Sequence, residues 1–223
     1  MKKSNCLFQV IFLFFIGLSF TQAQSLDPII EKPDVVGINK LDARATFFPY
    51  NSLELAKVDD MSKASNYLLL NGIWQFNYSD TPEVRPTDFY KEDFDTSNWN
   101  TIKVPANWEV EGFGIPIYVN TTYPFQKGYL NPPDIPEGDN PVGSYKRTFD
   151  VPNDWNGKDL FIHFGAVKSA FYLWINGKKV GYSQGSKLPA EFNVTNFVNP
   201  GKNTVALEVY RWSDGSYLEC QDF

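Results

Sequence analysis

Aromatic and acidic side chains alternate in the segment RWSDGSYLECQDF, the last thirteen residues of the sequence. Trp212 and Tyr217 offer flat apolar faces, and three carboxylates lie among them, at Asp214, Glu219 and Asp222. A sugar ring has an apolar face that packs on aromatic rings and a rim of hydroxyls that pair with carboxylate oxygens. The mixture therefore favours a sugar as ligand over a phosphate or a nucleic acid. A hairpin end with solvated acids has the same composition and is the structural alternative.

The composition supports a β-rich domain with an acidic surface. The 223 residues include 17% aromatic residues, 15 glycines and 15 prolines, which favours strands and turns over a helical bundle. The formal net charge is -6, whereas a nucleic-acid partner requires clustered Lys and Arg. We therefore expect no nucleic-acid partner, and an uncharged sugar remains compatible with this surface.

The N-terminus has the pattern of a signal peptide. Lys2 and Lys3 precede a mainly apolar run over residues 7–20, and small residues follow before Gln24. A membrane-spanning helix needs about 20 apolar residues, so this run is too short for one. We predict a cleaved signal peptide over residues 1–23 and export to the periplasm or the medium, with an uncleaved anchor as the alternative.

Cysteine and histidine are too few for several kinds of site. Removal of the signal peptide takes away Cys6 and leaves Cys220, so the mature chain has no intrachain disulfide. The one histidine, His163, lies in an alternating segment and is predicted to be a packing or surface residue. A His-based catalytic triad or a multi-His metal site is therefore excluded.

Residues 24–66 form an irregular, proline-containing stretch that we interpret as an extended N-terminal arm, with a possible helical turn over residues 52–57. The folded body is predicted over residues 67–223, where LNGIWQFNY alternates aromatic and other side chains. Similar patterns cover residues 99–104, 144–151, 160–164, 170–175, 179–182 and 204–211. Asn176-Gly177 between two of these predicts a tight hairpin turn. The strands and turns together predict an all-β fold, an antiparallel β-sandwich.

Seven blocks of sequence resemble family 2 glycoside hydrolases, in particular the large β-galactosidases, in the same order. They are LNGIWQF, VPANWE, PIYVNTTYPF, NPPDIP, NPVGSY, SAFYLWINGKKVGYSQGSKLPAEF and GKNTVALEVYRWSDGSY. The segment RWSDGSYLE-x-QD is close to a signature of the N-terminal sugar-binding domain of that family. The resemblance implies a jelly roll of the galactose-binding-domain-like kind, whose C-terminal end is cut short at residue 223.

The resemblance also implies two site residues. The long connection over residues 105–142 matches a loop that reaches into the active site of a neighbouring barrel, where the asparagine matching Asn120 contacts galactosyl hydroxyls. The aspartate matching Asp222 binds galactose hydroxyls and helps to hold a sodium ion. Without the resemblance, Asn120 has a plainer explanation as a turn residue. Cys220 replaces an acid that the family usually has there, which puts the ion affinity in doubt.

Four other residues are predicted to be structural. Asp214 precedes Gly215 as turn acids do, and Asp214 and Glu219 are expected to fix the turn. Trp174 and Trp212 are expected in the core rather than as platforms for a sugar ring.

A retaining glycosidase needs two carboxyl groups about 5 to 5.5 Å apart, and in the resembling family both lie on the later barrel domain. This chain is therefore predicted to contain no catalytic residue and to be inactive alone. It is predicted to be the front part of an enzyme that hydrolyses terminal β-D-galactose residues from β-galactosides. The remaining domains would be its partners, a divalent cation (Mg2+ or Ca2+) would belong to the absent barrel, and the intact enzyme could form a homo-oligomer. Two alternatives stay open, a free-standing secreted carbohydrate-binding module and a cell-surface interaction domain.

Overall fold

The computed structural model describes residues 26–120, 122–125, 131–136 and 138–220. The predicted signal peptide and Asp222 lie outside these residues. The strands of the described chain are β1 Gly37–Ile38, β2 Gly72–Ser79, β3 Asn100–Val104, β4 Val142–Val151, β5 Phe161–Phe164, β6 Ala170–Ile175, β7 Lys178–Gln184, β8 Ala190–Asn193 and β9 Gly201–Tyr210. Two short α-helices, α1 Leu53–Val58 and α2 Ser216–Glu219, and four 3-10 turns, Pro28–Glu31, Met61–Lys63, Pro82–Val84 and Asn153–Trp155, complete the described elements.

The strands form two antiparallel sheets. Seven of them form one sheet in the order β1-β7-β6-β9-β4-β2-β3, and β5 pairs with β8 in a second sheet. Phe192 of β8 and Ile162 of β5 share a core with Leu173 of β6 and Leu207 of β9. The two sheets therefore pack face to face, and the predicted all-β antiparallel sandwich is confirmed. The jelly-roll connectivity stays a prediction.

Period-two alternation divides the large sheet into two buried faces. Leu173 and Ile175 of β6 face the small sheet. The cluster of buried side chains between the two sheets, to which they belong, we call the first core. Tyr172 and Trp174, their neighbours in sequence, belong to a second core on the opposite face. Loops cover that second core, since Phe125 and Ile135 of the long β3–β4 connection belong to it. Both faces of β6 are consequently buried, and so are all six of its residues.

The predicted hairpin at Asn176-Gly177 is confirmed. Both residues have positive φ, 48° and 73°, as a type I′ turn requires. The Asn176 side chain also fixes the adjoining strand, because its Oδ1 accepts the backbone N–H of Thr204 at 2.8 Å. Its Nδ2 donates to the carbonyl of Phe197 at 2.9 Å and to Asn203.

The N-terminal arm is attached along the edges of both sheets. Its short strand β1 pairs with β7, and the backbone N–H of Leu41 donates to the carbonyl of Glu191 in β8 at 2.9 Å. Arg44 then forms a bidentate ion pair with the Glu191 carboxylate, at 2.9 and 2.8 Å. The possible helical turn is present as α1, which Ser52 caps through its hydroxyl. No helix within the described residues is long and apolar enough to cross a membrane.

Candidate functional site

Residues 211–215, between β9 and α2, form a tight turn. We call this segment the turn. Three hydroxyls hold this turn from within: Ser169 Oγ lies 2.5 Å from Ser213 Oγ, and Ser216 Oγ donates to Ser169 Oγ at 3.2 Å. The backbone N–H of Ser213 donates to Ser216 Oγ at 3.1 Å. All three serines are fully buried. The serine cluster therefore ties the turn to the start of β6.

Asn140 fixes the backbone of the turn from another direction. Its Oδ1 accepts the N–H of Trp212 at 2.9 Å, and its Nδ2 donates to the carbonyl of Trp212 at 3.1 Å. Asn140 has no exposed surface, so these two bonds replace the water that the peptide groups of Trp212 would otherwise need. The turn is thus set in position relative to the end of the long connection.

Glu219 secures the loop that follows β7. One of its carboxylate oxygens accepts the backbone N–H of Ser186, and the other accepts the Ser186 hydroxyl. This bidentate arrangement satisfies two groups of one loop residue with a single carboxylate. The prediction that Glu219 is structural is confirmed.

Asp214 also has the predicted turn role. Its carbonyl accepts the N–H of Tyr217 at 3.2 Å, and its own N–H donates to the carbonyl of Ile30 at 3.0 Å, which links the turn to the N-terminal arm. The side chain is buried, and this burial raises the pKa of the Asp214 carboxyl above its ordinary value.

Aromatic packing joins the turn to the long connection. Phe125 packs against Trp212 at a centroid distance of 5.2 Å and against Tyr217 at 5.1 Å, and Tyr123 lies 4.9 Å from Tyr217. Trp212 is only 4% exposed. Trp174 is likewise buried and stacks on Tyr90 at 5.0 Å. Both tryptophans are therefore core residues, as predicted, and neither presents a face to a sugar.

Arg211 holds the other part of the long connection. Its guanidinium lies 3.1 Å from the Glu109 carboxylate and donates to the carbonyl of Ile115 at 3.0 Å. The same guanidinium lies over the Trp212 ring, 5.0 Å from its centre. The residue that begins the turn thus also anchors the segment that leads to Asn120.

The structure brings the Asn120 loop to the same end of the molecule as the turn. Asn120 is exposed in a bend, between Ile115, which Arg211 holds, and Tyr123, which packs on Tyr217. Asp222 follows α2 in the sequence and lies outside the described residues, so its binding of the sugar together with Asn120 stays a prediction. An exposed amide at this end is available as both donor and acceptor for hydroxyl groups.

Two anchoring residues, Arg211 and Asn140, were missed by the sequence reasoning. A signal existed for Arg211, a charged residue that directly follows the apolar strand pattern of β9. Asn140 gave no such signal, because the block NPVGSY reads as an ordinary turn before a strand.

His163 and Cys220 have no catalytic arrangement. The His163 side chain is exposed, as predicted, and its Nδ1 lies 3.2 Å from the Glu191 carboxylate. Cys220 is a half-buried free thiol, and burial raises its pKa. The described residues contain no group of three His, Cys, Asp or Glu side chains that could hold a metal ion.

Known proteins resemble this chain along most of its length. The family model described as glycosyl hydrolases family 2, sugar binding domain, matches residues 68–223. A β-galactosidase of Priestia megaterium is 42% identical over 192 residues, which are 86% of this chain and 19% of that protein. A β-galactosidase of Halalkalibacterium halodurans is 44% identical over 191 residues, 85% of this chain and 19% of that protein. A solved β-glucuronidase of an uncultured Clostridium sp. is 23% identical, with a TM-score of 0.45 over 63% of this chain and 21% of that chain. The chain thus spans about a fifth of the length of the curated relatives that it matches.

Proposed function

Because this chain belongs to the sugar-binding domain family of the family 2 glycosyl hydrolases, we propose that it is the front part of a longer β-galactosidase. In this proposal the intact protein hydrolyses terminal β-D-galactose residues from β-galactosides, and this chain supplies one wall of the substrate site. The catalytic carboxyl pair belongs to a later part of the protein, so the chain alone has no turnover.

One observation supports this role more than any other. Arg211 and the aromatic cluster of Tyr123, Phe125, Trp212 and Tyr217 hold the Asn120 loop and the turn at one end of the domain. A loop that is anchored at both ends and exposed between them presents Asn120 in a defined place. The turn, which the buried serines and Asn140 fix, leads into α2, and Asp222 follows α2 in the sequence.

Asn120 and Asp222 have the chemistry that the site needs. The Asn120 amide both donates to and accepts from sugar hydroxyls, and the Asp222 carboxylate accepts from them. The oxygen atoms of these side chains are hard ligands, which suit Na+ better than a soft metal. We propose Asp222 as a sodium ligand, and a bound sodium ion would supply positive charge beside the hydroxyls.

The location of the protein, its strand connectivity and its partners form part of the same proposal. We propose export after removal of residues 1–23, and a jelly-roll connectivity for the sandwich. The partners are the galactoside and the remaining domains of the enzyme, and a homo-oligomer is the proposed assembly of the intact protein.

The test compares Asp222→Asn and Asn120→Ala in the full-length protein. We expect Asp222→Asn to lower kcat/KM more, because charge-assisted hydrogen bonds contribute about 1.5 to 3 kcal/mol each and neutral ones about 0.5 to 1.5. Asp222→Asn should also abolish any sodium dependence, whereas Asn120→Ala should retain it. The measurement is kcat/KM on an aryl galactoside across a sodium titration. Near-normal activity and a normal sodium response of Asp222→Asn would show that Asp222 is a structural turn acid.

A further inference from the structure

Residues 107–115 form the first part of the long connection and are fixed to the sandwich; we call them the loop base. The carbonyl of Trp108 accepts the backbone N–H of Phe113 at 2.9 Å, which closes the loop base on itself. Trp108 is buried, and its indole N–H donates to the Tyr145 hydroxyl. The Phe113 ring packs edge-on against Phe76, with ring centres 4.8 Å apart. Two aromatic side chains of the loop base are therefore packed against the first core.

An ion pair joins the loop base to the turn. Nη2 of Arg211 lies 3.1 Å from Oε1 of Glu109 and donates to the carbonyl of Ile115 at 3.0 Å. The Arg211 side chain is only 12% exposed, and the Glu109 side chain is 22% exposed. A charge that is so far removed from water needs a partner of opposite sign. Glu109 therefore keeps the guanidinium in the place from which it reaches the Ile115 carbonyl.

Gly114 lies in close contact with Tyr78, directly before the residue that Arg211 holds. Its φ is +72°, and a Cβ atom at this position would lie 2.6 Å from the Tyr78 hydroxyl. The Tyr78 ring is itself packed, with its centre 5.7 Å from that of Trp108 and 6.2 Å from that of Phe113. A side chain at Gly114 would consequently push the backbone of the loop base away from the sandwich.

We propose that Glu109 is a positioning residue for the galactoside site. It acts through Arg211, which fixes the backbone at Ile115, and Asn120 follows five positions later. The inference rests on the proposed function, in which Asn120 binds the sugar. A binding group must be held within about 0.5 Å of its productive position, and Tyr118 beside Asn120 is exposed rather than packed. The place of Asn120 is therefore set largely where its segment leaves the loop base.

The carboxylate of Glu109 both neutralises and orients Arg211. Without this carboxylate, the guanidinium would be a largely buried charge that has lost its counter-ion, and it would turn towards water. The hydrogen bond to the Ile115 carbonyl would then be lost. The segment that carries Asn120 would have to be ordered when the sugar binds, which lowers affinity. The loss should depend on Asn120, because Asn120 is the group that the ion pair positions.

A double-mutant cycle in the full-length protein tests the proposal. The value of kcat/KM on an aryl galactoside is measured for Glu109→Ala, for Asn120→Ala and for the double variant. We expect Glu109→Ala to lower kcat/KM about 10-fold by itself but less than about 2-fold when Asn120 is already alanine, since coupled residues are not additive. Glu111→Ala removes an exposed acid of the same loop base, and this matched control should change kcat/KM by less than about 2-fold.

The outcomes separate the inference from the proposed function. An equal loss on Glu109→Ala in both backgrounds, or an equal loss on Glu111→Ala, would overturn the positioning role while Asn120 remains a binding residue. Normal kcat/KM of Asn120→Ala would instead refute the proposed role of Asn120, and the positioning role with it. If Glu109→Ala does not fold, Glu109→Gln is used in the same cycle, because the amide keeps an acceptor oxygen and removes only the charge.

Two glycine variants test the same geometry without removing a charge. Gly114→Ala and Gly112→Ala both place a side chain at positive φ, +72° and +91°, and so share the backbone strain. The new Cβ meets Tyr78 at Gly114, whereas no described atom lies within 4 Å of one at Gly112. We expect kcat/KM to fall at least about 5-fold more for Gly114→Ala, and this excess should disappear in the Asn120→Ala background. Equal losses in the two glycine variants would contradict a loop base that positions Asn120.

Discussion

The turn after β9 and the long connection before β4 approach the same end of the domain, but they are held in different ways. The turn is buried, and Ser169, Ser213, Ser216 and Asn140 bond to it from inside the protein. The segment that carries Asn120 is exposed, and Arg211 holds it at Ile115, while Tyr123 after it packs on Tyr217. Tyr118, two residues before Asn120, is 76% exposed.

The difference agrees with the roles that we propose for the two segments, support of the site for the turn and ligand binding for the loop. The turn has little freedom, because its three buried serine hydroxyls and the peptide groups of Trp212 are bonded within the protein. The loop keeps several large side chains exposed, namely Ile115, Ile117 and Tyr118. Substitutions in the turn should consequently lower stability, whereas a substitution at the loop tip should lower binding alone.

The largest effect on stability is expected for Asn140→Ala. This change leaves the buried N–H and C=O of Trp212 without partners, and each such group costs about 1 to 3 kcal/mol, so we expect a loss of about 2 to 5 kcal/mol. The measurement is the free energy of unfolding from urea denaturation. Asn131→Ala, at an exposed position of the same connection, is the matched control and should change stability by less than about 0.5 kcal/mol. A loss below about 1 kcal/mol for Asn140→Ala would contradict the account of a buried support.

A smaller effect is expected for Glu219→Gln. The amide keeps one acceptor oxygen for Ser186 but loses the charge that strengthens both hydrogen bonds, so we expect a loss of about 1 to 2 kcal/mol. Leu218→Gln is the control, because Leu218 directly precedes Glu219 and is 81% exposed. The two variants are compared by urea denaturation under one set of conditions. Equal stabilities would mean that the Glu219 carboxylate does not hold the loop after β7.

Features that depend on neighbours in sequence could be predicted. Strands β6 and β9 follow from their alternation, and the hairpin follows from Asn176-Gly177, because both depend on residues close together in the chain. Strands β1 and β8 were not predicted as strands. β1 has two residues, too few for a period to be visible. β8 has four residues, as β5 does, but three of them are Ala, Glu and Asn, which are uncommon in strands.

Features that depend on distant partners could not be predicted. Asn140 bonds to a residue 72 positions away, and Arg211 donates to a carbonyl 96 positions away. No local pattern encodes such pairs, because the fold alone brings them together. The structural roles of Asp214 and Glu219 could be predicted in kind from their turn context, but their partners Ile30 and Ser186 could not.

The smallest effect on stability is expected at the loop tip. Asn120 is exposed in a bend, whereas the buried Asn140 bonds to the backbone of Trp212 in the turn. Removing an exposed amide usually changes the free energy of unfolding by no more than about 0.5 kcal/mol, and we expect that result for Asn120→Ala in urea denaturation. Galactoside binding by the same variant of the full-length protein should nevertheless weaken, because the lost amide leaves sugar hydroxyls without a partner. A destabilisation above about 1 kcal/mol would place Asn120 among the supports of the turn. The proposed division between a supporting turn and an exposed binding loop would then be wrong, because Asn120 is the residue that it assigns to binding.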